Sequence, residues 1–331
     1  MVIHSSGHPE LSYDRRGGDE LVGALMPGGF AHSLVTFATQ GQMALDLRTR
    51  GYAGVGMKRA TLYMGMETVI DLRSKGGRFH LKPHSRLGTR DFGWDPDWER
   101  EHTAEYFDSK WESIGLYLER VIPRVPMGAL VEGLVQAAVC GRNHDDMIVL
   151  DREAKPKYAN RETLRSVNGR LQGPLLEAVK VQDAEERWWT SRPKALGDRC
   201  DAIAIDDKGT LLTIEVKPWS ATKGIQWAPL QARHYANLFA EWARQVGHSA
   251  ARDVLIGMIN ERQRMGLLAE AWDVALPIRV QPVVVIGAGS HDACRERMCQ
   301  VQRRLADSLQ NDPPLLIKSA RMWGDLEDLA C

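Results

Sequence analysis

The stretch that decides the fold is Gly197-Asp198-Arg199-Cys200-Asp201-Ala202-Ile203-Ala204-Ile205-Asp206, then Asp207-Lys208-Gly209-Thr210, then Leu211-Leu212-Thr213-Ile214-Glu215-Val216-Lys217. Two apolar runs separated by Asp-Lys-Gly predict a β-hairpin whose three-residue loop is a type I turn with a glycine bulge. That turn pairs Asp206 with Thr210, and counting back sets Asp201 opposite Glu215. Side chains so opposed have Cβ atoms about 4.5–5.5 Å apart. Lys217, two residues beyond Glu215, points to the same face. Ile203, Ile205 and Leu211 share that face. Ala202, Ala204, Leu212, Ile214 and Val216 fill the other, so both faces are expected to be covered. Two carboxylates and an ammonium thus gather at one end of a buried sheet. Facing like charges are unfavourable there. A divalent cation held by Asp201 and Glu215 relieves them, and oxygen ligands suit Mg²⁺ or Mn²⁺. Read blandly, Glu215 and Lys217 are exposed strand residues and Asp201 ends a turn.

Around the hairpin the pattern is α/β. Helices are expected over Leu171–Trp188, Trp227–Gln245, Ala250–Trp272 and His291–Gln310, and a strand over Arg279–Ile286.

The spacing Asp201, thirteen residues, Glu215-Val216-Lys217 resembles the PD-(D/E)XK nuclease superfamily over about residues 170–290. Cys200 stands where proline is usual. Gln231-Ala232-Arg233-His234-Tyr235 is similar to the Q-x-x-x-Y motif of the RecB-like and lambda-exonuclease-like branches, and four-residue spacing puts Gln231 and Tyr235 on one helical face. The resemblance implies a restriction-endonuclease-like mixed sheet flanked by helices in the C-terminal half. It implies metal ligation by Asp201, Glu215 and the Val216 backbone carbonyl, with Lys217 stabilising charge or positioning water, and a further glutamate on a helix before the hairpin. Glu177, in an apolar helical segment, is the choice for that glutamate, with Glu185 and Glu186 as rivals. The implied activity is Mg²⁺- or Mn²⁺-dependent phosphodiester hydrolysis, of DNA before RNA, in nucleases acting on ends or single strands or in phage-defence and mobile-element enzymes. The alternatives are a non-catalytic nucleic-acid-binding or assembly protein that keeps the fold, and an RNA-directed nuclease.

The N-terminal half reads as an α+β region without an assignable fold. Residues 1–20 are polar and glycine-rich and are expected to form a loose arm. Residues 21–155 form a domain that selects substrate, mediates assembly or controls the site, and residues 156–331 form the nuclease domain. Residues 73–90 carry Arg73, Lys75, Arg78, Lys82, Arg86 and Arg90 without an acid, whereas residues 91–119 hold nine acids against two bases. The basic segment is expected either to contact phosphates or to be a solvated loop pairing with the acidic one. The acidic segment predicts a helix over Asp97–Arg120, with Trp98, Tyr106, Trp111 and Leu118 towards the core. His80 and His84 are not expected to hold a metal, because Pro83 interrupts the helix that would align them. The string Gly51–Gly56 reads as loop. Arg262 and Arg264 are expected to face nucleic acid or water. Trp188, Trp189, Trp219 and Trp227 read as core by default, with base stacking as the alternative.

The 331 residues balance 43 Lys and Arg against 43 Asp and Glu, which excludes binding nucleic acid by bulk charge. No run of 18 apolar residues exists, so no spanning helix is expected. The opening residues lack the pattern of a secretory signal. Five scattered cysteines without a C-x-x-C pair read as reduced thiols of a cytoplasmic protein. A homo-oligomer or a protein partner is left open.

Overall fold

A computed structural model describes residues 9–40, 45–51, 56–125, 131–141, 144–180, 191–309, 313–321 and 326–331. The elements in chain order are β1 (Leu11–Ser12), α1 (Gly18–Leu25), α2 (Ser33–Gln40), β2 (Leu45–Gly51), β3 (Lys58–Met64), β4 (Glu67–Lys75), β5 (Arg78–Pro83), α3 (Ala104–Val121), α4 (Val131–Cys140), β6 (Met147–Ala154), β7 (Lys157–Tyr158), α5 (Arg161–Ala178), β8 (Cys200–Asp206), β9 (Leu211–Lys217), α6 (Thr222–Val246), α7 (His248–Met265), β10 (Val280–Gly287), α8 (Asp292–Ser308), β11 (Leu316–Ala320) and β12 (Leu326–Asp328).

The larger sheet is mixed and runs β12-β11-β10-β9-β8-β6. Strands β6, β8 and β9 pair antiparallel side by side, and β10 and then β11 add in parallel. A parallel neighbour needs a crossover, and helices supply it: α6 and α7 lie between β9 and β10, and α8 between β10 and β11. Alternation along the strands decides what covers each face. Ile203, Ile205 and Leu211 join a core with Tyr235, Leu238, Phe239 and Trp242 of α6. Ala202, Ala204, Leu212, Ile214 and Val216 join another with Val135, Ala138 and Val139 of α4. Both faces of the hairpin are therefore buried, as its two apolar stripes require.

The smaller sheet, β2-β3-β4-β5, is an antiparallel meander. Its Leu47, Ala60, Leu62, Ile70, Leu72, Phe79 and Leu81 build a core with α1, α2 and α3. Its other face is polar.

Several expectations change here. The loose arm is docked from Glu10 onward. Leu11 pairs with Tyr158, the Tyr13 hydroxyl donates to Asp151 at 2.8 Å, and the Gly17 and Gly18 amides donate to Glu261 at 2.7 and 2.8 Å. The strand Met147–Ala154 precedes the boundary at 155, yet it pairs with β8 in the larger sheet. The helix expected from Asp97 begins at Ala104. Residues Pro96–Glu99 form one 3-10 turn capped by Asp95, and His102 is held in backbone pairing with Phe79 before Thr103 caps the helix. Trp98 and Leu118 are buried as expected, and Tyr106 and Trp111 are half-buried. The cysteines are not all reduced: Cys299 of α8 and Cys331 form a disulfide, because the return of β12 along β11 brings the tail back to the sheet. Cys140, Cys200 and Cys294 are free and buried. No helix among the described residues is long and apolar enough to cross a membrane.

Candidate active site

The β8–β9 hairpin forms in the expected register. The Asp206 amide donates to the Thr210 carbonyl at 3.1 Å, Gly209 has φ 75°, and Ala202 faces Ile214. Asp201 and Glu215 are the next opposed residues beyond that pair. Here the Asp201 side chain closes the ladder, its Oδ2 accepting from the Val216 amide at 2.7 Å. Glu215 is 2% exposed. The Lys217 ammonium bonds its carboxylate from the same face.

Electrostatics follow from two carboxylates and one ammonium sharing a desolvated corner. Burial and then the facing Glu215 push the Asp201 carboxyl well above the usual range. Burial likewise raises Glu215, against the pull of Lys217. Burial alone would lower Lys217, but Glu215 and Asp201 outweigh it and hold the ammonium more firmly protonated than usual. The corner thus carries more negative than positive charge when all three groups are ionised. Its donors are all oxygens, so the residues fit a hard divalent cation. Asp201, Glu215 and the Val216 carbonyl would hold it once Lys217 leaves Glu215. Among the described residues, no group of three or more His, Cys, Asp or Glu side chains is arranged as a metal site.

Tyr235 of α6 lies beneath this corner. It is 2% exposed, and burial, then Glu215, Cys200 and Asp201, suppress its ionisation, while a hydrogen bond with Gln231 partly counters them. The motif pair therefore sits together, with the tyrosine in the field of the carboxylates. A Cβ on Gly197 would lie 3.1 Å from the Tyr235 hydroxyl, so the segment entering β8 runs close over the ring. His234, next in the helix, is fully buried and held neutral by burial, its pKa lowered to about 4. It faces Gln172 of α5 at 3.1 Å, and Gln172 clamps Leu196 through both the amide and the carbonyl.

Glu177 is not brought to this site. It is 68% exposed near the end of α5 and pairs with Lys180 at 2.8 Å. Among the described residues, further acids whose charge reaches the corner are Glu132, which acts on Glu215 and Lys217, and Glu153, which acts on Asp201. Glu132 stands in the first turn of α4, the helix covering the Val216 face. Its signal in the sequence is one acid in the apolar run Val131–Cys140, just before Met147–Leu150. Glu153 lies across from Asp201 on β6, at φ 51°. Glu185 and Glu186 lie outside the described residues, as do Trp188, Trp189 and most of the Gly51–Gly56 string.

Of the basic segment, Lys75, Arg78, Lys82, Arg86 and Arg90 are exposed. None of these five forms an ion pair among the described residues, so pairing with the acidic segment does not occur there. Arg73 is half-buried and bonds Asp71 at 3.0 Å. Arg262 does not reach solvent. It is 7% exposed and donates to the Leu47 carbonyl at 3.3 Å, and burial and then the Arg48 charge lower its pKa to about 9. Arg264 is exposed and pairs with Asp19 at 2.7 Å. Trp219 packs on Gly287 and Trp227 is buried in α6, so both serve the core. A cavity of about 520 Å³ lined by Asp206, Asp207, Lys208 and Asp273 lies at the hairpin turn, the opposite end of the strands from Asp201. No protein-family model, curated protein or solved structure matches this chain.

Proposed function

We propose that the chain is a metal-dependent nuclease of the PD-(D/E)XK type, hydrolysing phosphodiester bonds of DNA at the Asp201–Glu215–Lys217 corner. The observation that carries this reading is the gathering of two facing carboxylates, Glu215 buried and Asp201 half-buried, and one ammonium at one end of a strand pair whose remaining inward residues are apolar except for Thr213. Such a charge excess is costly unless function retains it. The mixed sheet with helices on both faces supports the same reading.

Bound between Asp201 and Glu215, Mg²⁺ or Mn²⁺ would supply polarisation of the phosphate and a water of lowered pKa. Lys217 then faces the phosphoryl oxygens on which negative charge grows, and its raised pKa keeps it cationic for that purpose. The Val216 amide holds one oxygen of Asp201, and the Asp201 carboxyl hydrogen-bonds that of Glu215. Tyr235 stays protonated and can donate a hydrogen bond but not accept a proton. Glu132, whose charge acts on Glu215 and Lys217, is the acid this reading assigns to accept a proton from an attacking water. Lys75, Arg78, Lys82, Arg86 and Arg90 are the phosphate contacts of this reading, with Arg73 behind them.

The contact of Lys217 with Glu215 favours a second reading, in which the ammonium is the permanent partner of the carboxylates and the chain is a non-catalytic assembly protein. One assay separates the two. Linear duplex, closed circular duplex, single-stranded DNA and RNA are offered with Mg²⁺ or Mn²⁺ to the wild type and to Lys217→Ala. Cleavage by the wild type alone is expected. Equal cleavage by both sinks the site assignment. No cleavage together with no heat on Mn²⁺ titration supports the assembly protein.

A further inference from the structure

We propose that the polar face of the β2–β5 sheet is a docking surface for the phosphate backbone of duplex DNA. The choice of DNA rests on the nuclease reading above; the surface rests on its own geometry. Register puts Lys75 opposite Arg78, Arg73 opposite His80, Asp71 opposite Lys82, and Arg59 opposite Arg73. Opposed residues share a face, so the cations that the sequence scatters over residues 59–82 form one block. Asp71 is its internal acid, already paired with Arg73 at 3.0 Å and Arg59 at 3.5 Å. At the margin, Glu101 acts on His80. Lys75, Arg78 and Lys82 are exposed and unpaired among the described residues. From Arg78 to Lys82 the strand runs about 14 Å, roughly four base-pair steps of a duplex.

Among the described residues no ring on this face is fully exposed, and that chooses between duplex and single strand. Surfaces that hold single strands stack bases on aromatic side chains. The rings of these strands on the polar face are Tyr63, which is 8% exposed and lies under the Arg152 guanidinium, 4.8 Å from its ring centroid, and His80, which is half-buried opposite Arg73. A surface of cations with no fully exposed ring among the described residues fits a backbone whose bases are already paired. The block also leads to the catalytic corner. Arg50 of β2 donates to the carbonyl of Arg152 on β6, and the next residue, Glu153, lies across from Asp201.

The test measures binding in EDTA, where hydrolysis is not required. Anisotropy of a short labelled duplex and of its isolated strand is followed against salt, for the full chain and for Lys75→Ala/Arg78→Ala/Lys82→Ala. The wild type should prefer the duplex. The triple variant, with an unchanged circular dichroism spectrum, should bind it about 10- to 100-fold more weakly at about 0.1 M salt, with the slope of log K against log salt reduced by about 2.7. If the triple variant does not fold, Lys75→Gln and Lys82→Gln serve singly, each reducing the slope by about 0.9. Wild-type affinity and slope in the variants, or a wild type that prefers the single strand, overturns the proposal. A wild type that docks duplex through these cations but hydrolyses nothing with Mn²⁺ leaves the surface standing and removes the nuclease reading. Lost docking specificity with intact, Lys217-dependent cleavage does the reverse.

Discussion

Replacing Asp201 by Asn should stabilise the metal-free chain and abolish its stabilisation by metal. Both carboxyls of the corner are raised, so the native chain holds protons that the unfolded chain has released. A carboxyl raised on folding lowers stability as pH climbs from the unfolded value, about 4, towards the folded one. Two unit charges about 5 Å apart repel by about 3 kcal/mol at an effective dielectric of about 20. Lys217 offsets part of this, which leaves about 1–3 kcal/mol to be gained by removing one charge. The substitution keeps the structural contact, because an Asn oxygen can still accept from the Val216 amide. Its NH₂ can donate to Glu215. For a chain of this length the gain is a rise in Tm of about 1–4 °C. Thermal melts in EDTA across the acid and neutral range read it directly. The variant should exceed wild type at about pH 8, and the gap should close below about pH 3, where the carboxyls are protonated in both states. With Mn²⁺ at about a thousand times Kd, wild type should gain about 4.1 kcal/mol and the variant almost nothing, so the order of the two melts inverts. A variant that melts below wild type in EDTA at neutral pH refutes the repelling pair. Parallel shifts with Mn²⁺ in both proteins refute the ligand assignment.

Three further outcomes test other parts of the fold and site. Glu132→Gln should cut metal-dependent cleavage by about 10- to 100-fold, whereas Glu177→Gln, exposed on α5, should leave it unchanged; the reverse order in a single-turnover assay returns the helix glutamate to Glu177. Gly287→Ala puts a Cβ 2.8 Å from both Trp219 and Val135 and should cost about 1–3 kcal/mol by overpacking, read as a lower denaturant midpoint; an unchanged midpoint shows that Trp219 yields freely. Tyr13→Phe keeps the ring contacts with Phe239 and Trp242 but removes a hydrogen bond to the fully buried Asp151. It should cost about 1–3 kcal/mol in the same assay, and a neutral result means Arg15 and Arg50 suffice for that carboxylate.

The hairpin was legible because it is written twice, in the alternation of its strands and in its turn. Asp-Lys-Gly fixes the register, and the register fixes the opposition of Asp201 and Glu215 without further information. The helix glutamate was not legible in the same way. Periodicity shows that an acid lies in an apolar helix but not which helix covers which face, and Glu177 and Glu132 both satisfy it. The folded chain separates them: Glu177 is exposed and paired with Lys180, whereas the charge of Glu132 acts on Glu215 and Lys217. The boundary at 155 failed for a related reason. Met147–Leu150 is a short apolar run between polar turns, and its partner β8 lies some fifty residues on, so nothing local ties the two together. The basic block illustrates the opposite case. Its composition was plain over residues 73–90, but pairing across strands was needed to add Arg59 and to separate the face from the loop that carries Arg86 and Arg90.

The seam between the two sheets explains why these parts act as one body. Arg48 of the smaller sheet is 1% exposed and spends its guanidinium on Asp46 at 2.8 Å, on the Val149 carbonyl at 2.6 Å and on the Cys140 carbonyl at 3.0 Å. Arg152 of the larger sheet answers with the Gly65 carbonyl at 2.7 Å and with Gln136 of α4 at 2.5 Å. Buried guanidinium groups are costly unless partnered, and each of these bonds backbone carbonyls of a particular neighbour. An apolar seam would permit sliding; a seam of directed bonds fixes the angle between the sheets. Gln136 lies one helical turn from Glu132 and Arg152 one residue from Glu153. The same bonds that join the sheets therefore also position the two acids whose charge reaches the Asp201–Glu215–Lys217 corner, so a displacement of the basic face would be felt at the carboxylates.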